Sequence, residues 1–248
     1  MNTVGISTNC VMNLPLERAL ATLEPFTNLV EIQCDANHSL FRHASILDKF
    51  DLCYTIHAPT ADGNIAESFE PIRRASMEVL REAAEIADCV GAEKLVIHPG
   101  FCLDPANRED SLSALYKSIQ ELGDLQEEFS VRFVMENLGS MECCFFQNTE
   151  LVRELRAAGL GLTLDVGHAN LTGTLDAFLQ EKPDHLHLHD NHGIWDEHAA
   201  CGTGTVDFSS VLPYIGNATL ILEVIRLKDV KPGLSYLKSL GFSVLSKV

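Results

Sequence analysis

Residues 184–204, DHLHLHDNHGIWDEHAACGTG, carry five of the ten histidines in the chain. The five are His185, His187, His189, His192 and His198, with Asp190 and Asp196 among them. The first half alternates histidine with leucine, a two-residue period typical of a β-strand, with the histidines on one face and the leucines on the other. Imidazole and carboxylate groups at this density favour a divalent cation such as Zn²⁺ or Mn²⁺. A role as a core histidine bonded to a backbone carbonyl stays open for His185 or His192 alone.

Short strand-like runs alternate with longer amphipathic segments along the whole chain, without a low-complexity linker. The helical pattern is clearest at 70–90, where Gly91 follows as a predicted stop, and it recurs at 110–128. Eight strand–helix repeats predict a single (β/α)8 TIM barrel, an α/β fold, forming one domain over 1–248. An open doubly wound sheet is the alternative, but a glycine-rich loop would be expected after its first strand. The predicted strands are 3–7, 29–33, 53–57, 94–98, 132–136, 161–165, 185–189 and 219–223.

Residues able to bind metal lie at the ends of six consecutive predicted strands or just beyond them. In a barrel these positions converge at the carboxyl-terminal mouth, where enzymes of this architecture hold their active sites. One histidine at a strand end is weak evidence, but six consecutive strands that follow the same rule strongly indicate a site. The nine candidate ligands are His57, His98, Glu136, Asp165, His168, His187, Asp196, His198 and Glu223.

Nine candidates exceed the roughly four to six ligands of one divalent ion. We therefore expect one to three ions, Zn or Mn, or one ion beside catalytic groups. Glu136 and Glu223 come from strands on opposite sides of the barrel and can serve as paired general acid and base across a substrate. The alternative for each glutamate is an ion pair with Lys or Arg, although few basic residues lie near these strand ends.

The charge and cysteine content narrow the class of protein. The formal net charge is −17, from 35 acidic and 18 basic residues, and such a field disfavours binding to nucleic acid. The eight cysteines form no C-x-x-C pair and are interpreted as buried thiols, with redox chemistry at Cys143-Cys144 as the alternative. The first ten residues resemble no signal peptide and no apolar run is long enough to span a membrane, which predicts a cytoplasmic protein. Nothing in the sequence defines an oligomeric state.

Several of these motifs together resemble the xylose-isomerase-like barrel superfamily, which holds endonuclease IV and sugar and sugar-phosphate isomerases and epimerases. The resemblance runs over 4–223, and its most specific parts are 165–170 (DVGHAN), 187–191 (HLHDN), 196–198 (DEH) and 202–204 (GTG). Shorter matches in the same order are His57-Ala58-Pro59, His98-Pro99-Gly100 and Glu136-Asn137.

This resemblance implies two ligand sets. Endonuclease IV uses three zinc ions, and its nine ligand types all have a counterpart among the nine candidates. In the epimerases one metal would be held by Glu136, Asp165, His187 and Glu223. The two glutamates would then transfer protons, while His168 would contact a substrate oxygen.

The chain also departs from endonuclease IV. The loop at 34–39 lacks the Arg, Gln and Trp residues with which that enzyme enters DNA, and Thr60 stands where it has a stacking tyrosine. We therefore expect a metal-dependent isomerase or epimerase of a small sugar or sugar phosphate. The second hypothesis is an endonuclease IV-like phosphodiesterase with three metals. The third is a binding or scaffold protein that kept the metal site without turnover.

Overall fold

The computed structural model describes residues 3–61, 63–139 and 141–245. Eight strands pair in parallel with their neighbours in chain order, and the first also pairs with the last through Gly5↔Ile221 and Ile6↔Leu222. The sheet is therefore a closed (β/α)8 barrel, as predicted, and the open-sheet alternative is wrong. The strands are β1 (Gly5–Ser7), β2 (Leu29–Gln33), β3 (Cys53–His57), β4 (Lys94–Ile97), β5 (Arg132–Glu136), β6 (Gly161–Asp165), β7 (His185–Leu188) and β8 (Thr219–Leu222).

Helices connect the strands and cover the outside of the barrel. Two of them are long, and both match the predicted helical segments to within two residues at each end. The helices of the described residues are α1 (Leu16–Leu23), α2 (Leu40–His43), α3 (Glu70–Cys89), α4 (Arg108–Gln126), α5 (Val152–Ala157), α6 (Val166–Thr172), α7 (Leu175–Gln180), α8 (Phe208–Val211) and α9 (Val230–Leu240). No described helix is long and apolar enough to cross a membrane.

Helix α3 packs on the barrel through a face that the apolar pattern predicts only in part. Ala83, Ala84 and Ala87 are buried, and Gly91 follows with the φ of +69° expected of a helix stop. In the first half of the helix, however, Arg73 is buried instead of the apolar Ile72, which is 51% exposed. Arg73 is tolerated there because Glu70, Ser118 and Glu121 accept hydrogen bonds from its guanidinium group.

All eight cysteines are free thiols. Five are buried, as predicted, but Cys53 and Cys89 are exposed and Cys143 is partly exposed. Cys53 begins β3 and Cys89 ends α3, so both lie at element ends outside the packed core.

Candidate metal centre

A cavity of about 400 Å³ opens at the carboxyl ends of the strands. It receives side chains from both halves of the barrel, as the convergence of strand ends predicts. Seven lining residues belong to the nine predicted ligands: His57, His98, Glu136, His168, Asp196, His198 and Glu223. Four polar residues, Asn9, Gln33, Asp35 and Thr60, line it together with Met12 and Ala61.

The metal-capable side chains of the mouth form three groups, in each of which the ligand atoms lie within 4.8 Å of one another. We name them site A (His57, His98, Glu136), site B (Glu136, Asp165, His187, Glu223) and site C (His168, His189, Asp196, His198). All nine predicted ligands are in these groups, so the structure brings the whole set together. His189 is an addition that the sequence analysis did not include.

Site B is centred on one imidazole nitrogen. His187 Nδ1 lies 3.2 Å from Glu223 Oε2, 3.3 Å from Glu136 Oε1 and 3.7 Å from Asp165 Oδ2. These side chains come from four neighbouring positions, β5, β6, β7 and the residue after β8, and all four are buried. His187 Nδ1 makes no hydrogen bond of good geometry although three carboxylates surround it. A buried imidazole nitrogen that faces three carboxylates, and makes a hydrogen bond to none of them, fits the donor set of a divalent cation.

Two carboxylates link the three sites. Glu136 directs Oε1 toward site B and Oε2 toward site A, where it lies 3.0 Å from His57 Nε2 and 3.3 Å from His98 Nε2. Asp165 lies in site B and approaches site C, since its Oδ1 is 2.9 Å from His189 Nε2. The three sites are therefore one connected centre.

Site C is built mainly from the loop after β7. Asp196 Oδ2 lies 3.1 Å from His168 Nε2 and 3.2 Å from His198 Nε2. His189 stacks on the His198 ring with centroids 3.9 Å apart. His189 also explains Gly167, because a Cβ there would lie 2.0 Å from its ring. Imidazole and carboxylate donors with no thiolate again suit Zn²⁺ or Mn²⁺.

Four of the six histidine rings in sites A–C are oriented as metal-binding histidines usually are, with one nitrogen facing the site and the other held from behind. In three of them the Nδ1 position faces a backbone carbonyl, which directs Nε2 into the site. The pairs are His57 with Ala58 O at 2.9 Å, His168 with Asn137 O at 3.0 Å and His198 with Glu223 O at 2.9 Å. Backbone carbonyls fixed by the strand ends therefore orient rings in sites A and C.

His187 is held differently, by a carboxylate that the sequence analysis missed. Its Nε2 lies 3.0 Å from Oε1 of Glu31, a fully buried residue in the middle of β2. The other carboxylate oxygen of Glu31 lies 2.9 Å from His185 Nε2 and accepts a 2.9 Å hydrogen bond from Thr55 Oγ1. A carboxylate behind a ligating imidazole orients the ring and increases its basicity. The available signal was a single glutamate inside an otherwise apolar strand.

Replacing Glu31 with glutamine should lower metal affinity by roughly 10–100-fold, because a neutral amide replaces the carboxylate charge that lies behind His187 and His185. Competition with a chromogenic zinc chelator would measure this, with Glu17→Gln, an exposed surface glutamate on α1, as the matched control. Unchanged affinity in a folded Glu31→Gln variant would show that Glu31 does not support the site.

Asp190 holds the loop that carries Asp196 and His198. Its buried carboxylate accepts hydrogen bonds from the backbone N–H groups of Asn191, Gly202, Gly204 and Val206 at 2.8–3.1 Å. Gly204 is required at this turn because a Cβ would lie 2.2 Å from the Asn191 carbonyl oxygen. The Gly202-Thr203-Gly204 motif therefore closes the loop around Asp190.

The two remaining histidines of the opening stretch do not contact backbone carbonyls. His185 is buried but bonded to the side chains of Thr219 and Glu31, and His192 is at the surface beside Glu197. The core-histidine alternative is thus correct for His185 in that the side chain is buried, although its partners are side chains and not backbone carbonyls. For His192 the alternative is wrong.

The four carboxylates of the centre carry negative charge that must be balanced by positive charge nearby. Burial alone would raise the pKa of Glu136, but neighbouring histidines, His187 foremost, lower it well below its usual range. Burial likewise opposes protonation of His187, yet the surrounding carboxylates raise its pKa well above 6.5. Within the described residues, every ion-pair partner of Glu136, Asp165, Asp196 and Glu223 is a histidine. The predicted alternative of Lys or Arg pairing is therefore not observed for these carboxylates.

Comparison with known proteins agrees with this architecture. Residues 37–240 match the model of the family described as xylose isomerase-like TIM barrel, and the chain belongs to that family. An uncharacterized protein of Methanocaldococcus jannaschii is 35% identical over 84% of this chain and 85% of its own. A probable endonuclease 4 of Pediococcus pentosaceus is 25% identical over 70% of this chain and 67% of its own. A D-tagatose 3-epimerase-like protein has the same fold, with a TM-score of 0.86, 24% identity and 96% of each chain covered.

Proposed function

We propose that this protein is a divalent-metal-dependent epimerase or isomerase of a small sugar or sugar phosphate, with Glu136 and Glu223 as the proton-transfer groups. The observation that carries the proposal is site B, in which both glutamates approach His187 Nδ1 and also line the cavity. The cavity of about 400 Å³ suits a small molecule, since ligand pockets span roughly 300–1,000 Å³.

Proton transfer at carbon defines the roles of these residues. A divalent ion held by Glu136, Asp165, His187 and Glu223 would supply positive charge next to the substrate oxygen that becomes negative. One glutamate removes the proton from carbon and the other returns one from the opposite face. The lowered pKa of Glu136 keeps it ionised at neutral pH, as a base must be. His168 lines the cavity and is the group we assign to contact a substrate oxygen.

Solvent-deuterium exchange tests this function. Metal-loaded protein in D₂O should incorporate deuterium at one carbon of a ketose or aldose, detected by NMR across a panel of monosaccharides and their phosphates. Chelator-treated protein provides the control. Absence of exchange with every member of the panel would contradict the proposal.

The second candidate is a phosphodiesterase of the endonuclease IV type, and sites A and C favour it. A one-metal epimerase requires site B alone, whereas a cluster of ions can clamp a phosphodiester and activate water. The net charge of −17 and the absence of Lys and Arg from the described cavity lining oppose it.

Duplex DNA should therefore bind weakly at physiological salt, and a duplex with an abasic site should not be cut efficiently in the presence of Zn²⁺ or Mn²⁺. Gel analysis of a labelled duplex, with and without chelator, measures incision. Efficient metal-dependent incision would make the phosphodiesterase the first candidate.

Metal content distinguishes the epimerase and the phosphodiesterase, which both require bound metal, from a protein that binds none. Protein purified without chelator should contain about one to three equivalents of Zn, Mn or a similar ion. Elemental analysis gives the number, and the triple variant Glu136→Gln/Asp196→Asn/Glu223→Gln should reduce it. Metal-replete medium that yields metal-free protein would contradict the assignment of all three sites.

A further inference from the structure

One wall of the mouth cavity is polar, free of ligand residues and not used by the chemistry described above. It consists of Asn9, Gln33, Asp35 and Thr60, which we call the polar wall. Asn9 follows β1, Gln33 ends β2, Asp35 lies just beyond it and Thr60 lies beyond β3. A substrate held at sites A–C through one end can therefore reach this wall with its other end.

Asp35 is the centre of the wall and is held rigidly. Its Oδ2 accepts hydrogen bonds from Gln33 Nε2 at 2.8 Å and from Thr60 Oγ1 at 3.0 Å. The Thr60 backbone N–H lies 3.3 Å from both carboxylate oxygens. Among the described residues Oδ1 has this one long contact alone, so it keeps acceptor capacity for a ligand in the cavity that Asp35 lines. A carboxylate fixed by its neighbours, with one oxygen still available, is preorganised to accept from a hydroxyl group.

The other side chains of the polar wall can also form hydrogen bonds with hydroxyl groups. The side-chain amides of Asn9 and Gln33 each offer a donor and an acceptor, while Met12 and Ala61 add apolar surface beside them. Alternating hydroxyl and C–H groups of a neutral polyol complement such a mixture. A phosphate group would instead face the Asp35 carboxylate, and no Lys or Arg lies in the described lining to offset the repulsion.

From this arrangement we infer that the polar wall is a binding subsite for the hydroxyl groups of an unphosphorylated sugar or polyol, with Asp35 as its main specificity residue. This inference rests on the proposed function and narrows it. The charge of the polar wall favours an unphosphorylated sugar over a sugar phosphate as the substrate. The wall also disfavours a polyanion, since a flanking phosphodiester would meet the same carboxylate.

Binding measurements test the subsite independently of catalysis. Calorimetry and saturation-transfer NMR on metal-loaded protein would compare monosaccharides and alditols with their phosphate esters, for example D-fructose with D-fructose 6-phosphate. Neutral members of the panel should bind more tightly than their esters. Asp35→Ala should weaken neutral-sugar binding by about 10- to 100-fold, the usual effect of losing hydrogen bonds to a charged group. Metal content should stay the same, because Asp35 belongs to none of the sites A–C.

Two further variants sharpen the result. Asp35→Asn preserves the shape and should lose part of the sugar affinity, and it replaces Asp35→Ala if that variant melts at a lower temperature. Asp51→Ala removes an exposed aspartate before β3, at the opposite end of the barrel, and should change nothing.

The inference is overturned if phosphate esters bind at least as tightly as neutral sugars, if no neutral sugar in the panel binds, or if folded Asp35 variants bind sugar like wild type. Failure of the proposed function alone gives a different result, in which neutral sugars bind through Asp35 but no member of the panel exchanges deuterium.

Discussion

Glu136→Gln and Glu223→Gln should each lower the rate of sugar-dependent deuterium exchange by roughly 10²–10⁴, the usual contribution of a positioned general acid or base. Glutamine preserves the shape of each side chain and removes its ability to carry a proton between carbon and solvent. Both side chains are buried beside His187. A substitution that changed their size would disturb the packing of site B, and glutamine avoids this. Single-turnover exchange measured by NMR gives the rate, and elemental analysis of the same samples shows whether metal is retained.

His57→Ala and His98→Ala are the matched controls, since both belong to site A and neither is in site B. For an epimerase they should reduce exchange far less than the two glutamine variants. For a phosphodiesterase the order reverses, because site A would then help to clamp the phosphate. No exchange with any sugar, together with a requirement for both histidines in phosphodiester cleavage, would reject the epimerase.

The barrel was predictable because short, largely apolar strands alternate with helical segments along the whole chain. Differences occur at the ends: the predicted strand 3–7 begins two residues before the observed one, and 94–98, 185–189 and 219–223 each extend one residue beyond it. The last three share a feature. The last residue in each case, His98, His189 or Glu223, turns from the strand into the mouth. The four-residue helices α2 and α8 left no periodic signal, since one turn cannot display a repeat.

The candidate site was predictable to the extent that strand ends converge in a barrel. That rule requires only chain order, and it gave the candidate ligands at or next to the strand ends, while Asp196 and His198 came from their own motif in the loop after β7. It gave neither Glu31, whose contact to His185 spans 154 positions in sequence, nor the role of Asp190, whose partners are backbone N–H groups. The contact of Glu31 depends on which face of β2 points into the barrel, and that of Asp190 depends on the conformation of the loop after β7. Neither can be read from chain order. His198 illustrates the second point, because its φ of +43° comes from the closed loop and is uncommon outside glycine.

Removing metal should destabilise the protein, and the loss should grow from about pH 6 to about pH 9. Burial works against protonation of His57 and His198, but carboxylate partners raise the pKa of each to about 9. A raised histidine pKa adds stability to the metal-free protein that is complete below the unfolded value, about 6.5, and disappears as pH rises through about 9. The lowered pKa values of Glu136 and Asp165 act in acid, outside this window.

Metal has the opposite pH dependence, because protons compete with it for the same nitrogens and the competition weakens as pH rises. At a free concentration of 1,000 times Kd, each ion adds about 4 kcal/mol to the free energy of unfolding. For a domain of this size that corresponds to roughly 8–16 °C in Tm. Differential scanning calorimetry of metal-loaded and chelator-treated protein should therefore show a Tm difference that widens across the window. His192→Ala, which removes a surface histidine outside sites A–C, should leave that difference unchanged. A Tm difference near zero across the whole window would mean that protonated histidines, rather than metal, are the native partners of these carboxylates, and a difference that narrows with rising pH would contradict the prediction.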